Sequence, residues 1–263
     1  MAAFFTSRRP GGCFDRGMRM AGRAPRSRLL VLWLVAIGVW PLSATGQGAG
    51  KLPGPPSLLV DFTGATPGTW AEYAVTVGGN DEASLTARFL FLGRKPGGNL
   101  LELTVQGPGA ASGELGGKVV SRMLIAANPI GLGKPITALV VQIGTRDPIE
   151  VPLDLPGLPS QKFQNPDPKK WVGKKKITVP AGTFSANLYR DPLPDSTVES
   201  WLSDAVHPLG VVKIHSTPRP NIEGPGGRPL PPVTMVLIAF GRNGKSAITK
   251  APRPFVAEPA ETR

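Results

Sequence analysis

Apolar and polar residues alternate with a period of two along much of residues 57–249, and clusters of Gly, Pro, Asn and Asp punctuate the alternation. Trp70 to Val77 places Tyr73, Val75 and Val77 on one face and Glu72, Ala74 and Thr76 on the other. After the turn Gly78-Gly79-Asn80-Asp81, Leu85 to Leu92 carries Leu85, Ala87, Phe89 and Phe91 on one face. Leu101, Leu103 and Val105 then alternate with Glu102, Thr104 and Gln106, and Gly93 to Asn99 makes the connection of a hairpin. Period-two patterning bounded by such turns is the signature of half-buried strands. Val119 to Ala126 and Ile136 to Ile143 read as apolar on both faces, which suits either buried strands or helix. The intervening Pro129-Ile130-Gly131-Leu132-Gly133 argues against one long helix. Lys174 to Val179, Thr183 to Arg190, Val198 to Leu202, Leu209 to His215 and Val233 to Phe240 complete the set.

About ten strands and no amphipathic helix beyond three turns predict a mainly β fold. The residues suit one large antiparallel sheet with little helix, curved or closed. Its expected apolar hollow or core is Tyr73, Val75, Phe89, Phe91, Leu103, Phe184, Leu188, Trp201, Val211, Met235 and Leu237. Six prolines between Arg146 and Lys170 mark a long connection or an edge, because proline cannot donate to a strand ladder. Residues 218–232, rich in Pro and Gly, read as a mobile loop.

The ends of the chain follow other rules. Arg23, Arg26 and Arg28 precede the twelve uncharged, mainly apolar residues Leu29 to Trp40, too short a run to span a bilayer. Pro41 and the small residues Ala44-Thr45-Gly46 follow, so residues 1–46 read as a secretory signal peptide cleaved before Gln47. Residues 47–56 then form a flexible leader, 57–249 the β domain and 250–263 a disordered tail. An exported, soluble product is expected, in the periplasm or outside the cell. The one cysteine, Cys13, lies ahead of the apolar run, so neither a disulfide nor a lipoprotein anchor is expected.

Charge adds less than its total suggests. Removing residues 1–46, with seven arginines and one aspartate, takes the net charge from +12 to +6. That is an ordinary solubilising charge and gives no reason to expect nucleic acid. The cluster Lys169-Lys170 with Lys174-Lys175-Lys176 suits a solvated face or a protected edge strand, with anionic lipid headgroups as the alternative.

Candidate chemistry is thin. Gly241-Arg242-Asn243-Gly244-Lys245-Ser246 matches the end of a phosphate loop, but no helix can follow in the few residues before Pro252 and Pro254. It reads as the turn ending the last strand. His207 and His215 lack partners at metal-ligand spacing, and Asp81-Glu82, Asp191, Asp195 and Asp204 all sit in turn contexts. No catalytic residues, cofactor or metal are expected.

Lys176-Ile-Thr-Val-Pro-Ala-Gly-Thr-Phe-Ser-Ala-Asn-Leu-Tyr-Arg190, followed by Val198-Glu-Ser-Trp-Leu202 and Pro208-Leu-Gly210, resembles a group of uncharacterised exported bacterial proteins. These are similar to the outer-membrane lipoprotein-carrier superfamily (LolA/LolB-like, DUF3108-related). The resemblance covers residues 174–216. It implies a mainly β fold, a single curved, incompletely closed antiparallel sheet (half-barrel) whose concave side holds acyl chains beneath plugging helices, and only residues 119–142 could supply such a helix. The first functional expectation is therefore a non-enzymatic periplasmic protein that binds lipid or a lipoprotein acyl chain. The second is a structural or interaction domain docking onto envelope proteins. The third, a hydrolase of envelope glycans, would need two carboxylates or a His–Asp pair converging in a cleft.

Overall fold

The computed structural model describes residues 58–59, 62–78, 85–107, 117–130, 132, 134–154, 163–220, 222 and 229–255. The predicted signal peptide and leader, the Gly79–Asp81 part of the first turn, residues 221 and 223–228 of the 218–232 loop and residues 256–263 lie outside them.

Every long apolar–polar alternation in the sequence is a strand. In chain order the strands are β1 (Leu58–Leu59), β2 (Trp70–Val77), β3 (Leu85–Lys95), β4 (Gly98–Gln106), β5 (Lys118–Ala126), β6 (Ile136–Ile143), β7 (Ile149–Glu150) and β8 (Phe163–Gln164). After one 3-10 turn at Pro168–Lys170 come β9 (Trp171–Val179), β10 (Gly182–Pro192), β11 (Ser196–Leu202), β12 (Val211–Pro218) and β13 (Val233–Gly241). The 119–142 segment forms strands β5 and β6 rather than a plugging helix.

Two meanders build one antiparallel sheet of 11 strands in the order β7-β6-β5-β4-β3-β2-β13-β12-β11-β10-β9. They join where β13 pairs with β2, Met235 opposite Val75 and Leu237 opposite Tyr73. β1 and β8 form a separate parallel pair. The sheet is open, as the sequence predicts, and it is curved. Register shifts interrupt the ladders within β3–β4, β10–β9, β11–β12 and β13–β2, and such bulges bend and twist a sheet. The curl brings the β9–β10 turn back onto β13, where Ala181 N–H donates to Leu237 O at 3.4 Å and Phe184 meets Phe240 edge-on. At the β3–β4 hairpin only glycine fits at Gly98, since a Cβ there would collide with the Ile125 carbonyl oxygen.

The concave face is apolar and packed. Ala71, Tyr73, Val75, Ala87, Phe89, Phe91, Leu101, Leu103, Met123, Ile125, Leu139 and Val141 belong to one buried cluster with Phe184, Val206, Val211 and Leu237 from the second meander. Phe62, ahead of β2, stacks on Phe91 at 5.6 Å. The Tyr73 hydroxyl crosses the cluster to donate to Val211 O at 3.0 Å. Burial pushes this phenol far above its ordinary value, so it stays protonated and donates.

The chain does not turn to solvent after β13. Gly244 N–H donates to Gly68 O, and the following residues run across the convex face of the first meander. They reach β7, where Glu150 N–H donates to Arg253 O and Arg253 N–H donates to Pro148 O, each at 2.8 Å. The predicted tail therefore begins too early: Lys250 and Arg253 both pair with Asp147 at 2.7 Å. The sequence reading missed this because the partners lie on a strand about 100 residues away, and Pro-rich segments carry no periodicity of their own.

Candidate functional site

Among the residues expected to line a hollow, Tyr73, Val75, Phe89, Phe91, Leu103, Phe184, Val211 and Leu237 lie in the packed cluster, with Trp201 and Met235 half-buried against it. Leu188 is buried outside that cluster. The structure thus gathers ten of the eleven on one core and uses their surface for packing.

The two edges of the sheet end differently. β7 is only two residues long and is covered by the Arg253 segment. β9 is nine residues long, and no strand pairs with its outer side among the described residues. Trp171 and Val172 at its start are 53% and 45% exposed. Lys174, Lys175 and Lys176 follow with their side chains exposed, so the predicted lysine cluster lies on an edge strand. Lys170 is tied to Asp191 at 2.7 Å.

The convex face of the first meander carries charge that period-two reading only half revealed. β5, read as apolar on both faces, presents Arg122 there opposite Glu102 of β4. Glu102 is 2% exposed, and its carboxylate accepts from the Arg122 guanidinium at 3.4 Å, from the Ser246 hydroxyl and from Ala247 N–H at 2.7 Å. Arg122 Nη2 also donates to Ser246 Oγ and to Ile248 O, both at 2.6 Å. A buried carboxylate persists when donors replace the water it has lost, and here they come from the segment after β13. Ser246, which closed the phosphate-loop match, is thereby an anchor, and among the described residues no helix follows it. The Gly241–Gly244 stretch is the strand-ending turn, as read.

Beside this anchor lies a cleft of about 170 Å³ lined by Glu72, Thr86, Arg88, Leu90, Glu102, Thr104, Gln106, Lys118, Lys245 and Ala247. Arg88 stacks on Trp70 with 4.4 Å between guanidinium carbon and ring centre. Glu72 and Glu102 sit two strands apart, roughly 10 Å in backbone spacing, with Arg88 on the strand between. Glu102 is already fully engaged, so they do not form a free acid–base pair. Of these residues the sequence singles out only Lys245, in the phosphate-loop match. The available signal was one charged residue on the same face of four successive strands, Glu72 opposite Arg88 and Glu102 opposite Arg122, the second pair offset along the strands.

The remaining candidates disperse. His215 Nδ1 and Nε2 lie 2.8 and 3.1 Å from the hydroxyls of Thr234 and Thr217. Asp195 accepts from the Ser196 hydroxyl, and Trp201 lies under Lys213. Among the described residues, no three His, Cys, Asp or Glu side chains are grouped to hold a metal. Among them, too, no helix is long and apolar enough to cross a membrane.

No protein-family model matches the chain, and no curated protein does. The lipoprotein-carrier resemblance therefore rests on residues 174–216 alone. Two solved structures match at 14% identity. One is a hypothetical protein from Chlamydia trachomatis, with a TM-score of 0.42 over 72% of this chain and 93% of that one. The other is a candidate lipoprotein from Parabacteroides distasonis, with a TM-score of 0.31 over 67% of this chain and 96% of that one.

Proposed function

We propose that this chain is a non-enzymatic binding domain of the cell envelope, exported by its N-terminal signal, whose working surface is the free edge of the sheet. The observation that carries this reading is β9, a nine-residue edge strand that presents Trp171 and Val172 to solvent beside Lys174, Lys175 and Lys176. Lysines alone blunt an edge against pairing. An exposed Trp–Val pair does the opposite, and the two together favour an extended segment that is acidic as well as apolar. Such a segment adds as a further strand through main-chain hydrogen bonds, with side chains setting the choice of partner. The close packing of the concave face supports this reading over an acyl-chain carrier, because the same side chains cannot both pack on one another and line a filled hollow.

Hydrogen exchange of the mature chain tests it, with a strand-forming peptide of alternating Val and Glu, a fluorescent fatty acid and vesicles containing phosphatidylglycerol as three separate additions. The peptide is expected to protect the β9 amides that point away from β10, and Lys174→Glu with Lys175→Glu and Lys176→Glu to abolish that protection. Protection by vesicles alone would replace the peptide with a membrane surface. Saturable fatty-acid binding that protects β2, β3 and β13 would restore the carrier reading.

A further inference from the structure

We propose that the convex-face cleft between β2, β3, β4 and the Lys245–Ala247 segment is a binding site for a small amino carboxylate, of the size of a free amino acid.

Arg88 carries the argument. Its guanidinium has five donors, yet it makes no hydrogen bond or ion pair among the described residues, and its Nε is buried. A half-buried arginine ordinarily spends its donors on a carboxylate or on carbonyl oxygens, as Arg122 does two strands away with Glu102, Ser246 and Ile248. Glu72 stands directly opposite Arg88 across the β2–β3 ladder, within easy reach of the long side chain. The two nevertheless form no ion pair within 4 Å, and Glu72 likewise has no partner among the described residues. Arg88 lies instead over the Trp70 ring. That stacking fixes the guanidinium plane and leaves its donor edge free for two parallel bonds to a carboxylate.

The rest of the cleft fits one such ligand. Lys118 and Lys245 add positive charge near Arg88, while Thr86, Thr104 and Gln106 supply hydroxyl and amide groups. Glu102 also borders the cleft, but Arg122, Ser246 and Ala247 already meet its charge. Glu72 is then the free anion, suited to an ammonium group next to the ligand's carboxylate and unfavourable to a dianion such as phosphate. A space of about 170 Å³ corresponds to roughly five or six waters, which admits an amino acid and excludes a lipid or an oligosaccharide. The floor is set by strands and the wall by a segment anchored through Ser246, so the site is preformed.

The indole N–H of Trp70 reports on it directly. In the mature chain, labelled with nitrogen-15 at tryptophan, this resonance is followed while glycine, acetate or phosphate is added at constant ionic strength. Glycine is expected to shift it saturably, at least about tenfold more tightly than acetate or phosphate. Arg88→Gln should remove the response. Glu72→Gln should leave glycine no tighter than acetate without weakening acetate, a pattern that a general loss of structure cannot produce. Circular dichroism checks that both variants keep the wild-type fold, and Lys245→Gln, on the rim, gives a second measure through a severalfold weaker response to glycine. No saturation by glycine up to about 50 mM, a response that favours phosphate, or an undiminished shift in Arg88→Gln would overturn the proposal.

Discussion

The sheet ends in two ways. At β7 a two-residue strand is sealed by residues from the far end of the chain, with backbone hydrogen bonds to Arg253 and two ion pairs on Asp147. At β9 a strand more than four times as long pairs with β10 on one side and with no strand on its outer side among the described residues. An open sheet must manage both edges, because an unpaired row of N–H and C=O groups templates pairing with other chains. This protein covers one edge with its own backbone and leaves the other to lysine charge. The covered edge contributes to stability, and the charged edge is the one to which the proposed function assigns a partner.

The strongest way to break the comparison is to release the strap. Glu102→Ala removes the acceptor of Arg122, Ser246 and Ala247 and leaves a mostly buried guanidinium short of partners. A loss of about 3 kcal/mol is expected, measured by urea unfolding. Hydrogen exchange should also quicken at Glu150 and Val151 and stay unchanged along β9. Equal loosening of both edges would mean that the strap does not seal β7 selectively.

Next in size is Tyr73→Phe, which cuts the bond joining the first meander to Val211 of the second. Leaving that carbonyl without its donor costs about 1–3 kcal/mol and should loosen the two meanders together. The same phenol gives a pH signature. Its folded-state value lies above that of the unfolded chain, so its contribution to stability is full below about pH 10 and declines as pH rises past that point. The alkaline fall in stability should be smaller in Tyr73→Phe.

Acid acts at the other end with the opposite sign. The hydrogen bond from Lys250, with the charges of Arg253 and Lys250, holds the Asp147 carboxyl below its ordinary value. Stabilisation of the sealed edge is therefore present above the usual carboxylate range, about pH 4, and is lost as pH falls below it. Amide protection at Arg253 should drop in that window, and Asp147→Asn should remove the dependence.

The smallest effect on stability should come from the free edge. Trp171→Ala, or Lys174→Gln with Lys175→Gln and Lys176→Gln, should stay within about 0.5 kcal/mol of the wild type. The lysine variant should raise self-association, seen by analytical ultracentrifugation, because it removes the charge that guards the edge.

Much of the fold was legible before any coordinates. β2 coincides with a run read from alternation, β6 with a run that the sequence left open between buried strand and helix, and the other long strands differ from their runs by only a few residues at either end. β5 was misread: Ser121 and Arg122 sit among Val, Met, Leu and Ile, and counting apolar residues hid the one charge that organises the convex face. Arg88 was hidden in the same way between Ala87 and Phe89. A period of two shows which residues share a face, but not what covers that face.

That division runs through the whole molecule. Most strand identities, the turn positions and the antiparallel β class follow from the sequence alone, since pleat and turn chemistry act over a few residues. The pairing of β2 with β13 came only with tertiary structure. So did the strap from Ser246 to Arg253, the anchoring of Glu102 and the contrast between a sealed and a free edge. Each depends on closing loops of about 100 residues or more, and no local pattern records where such a loop will close.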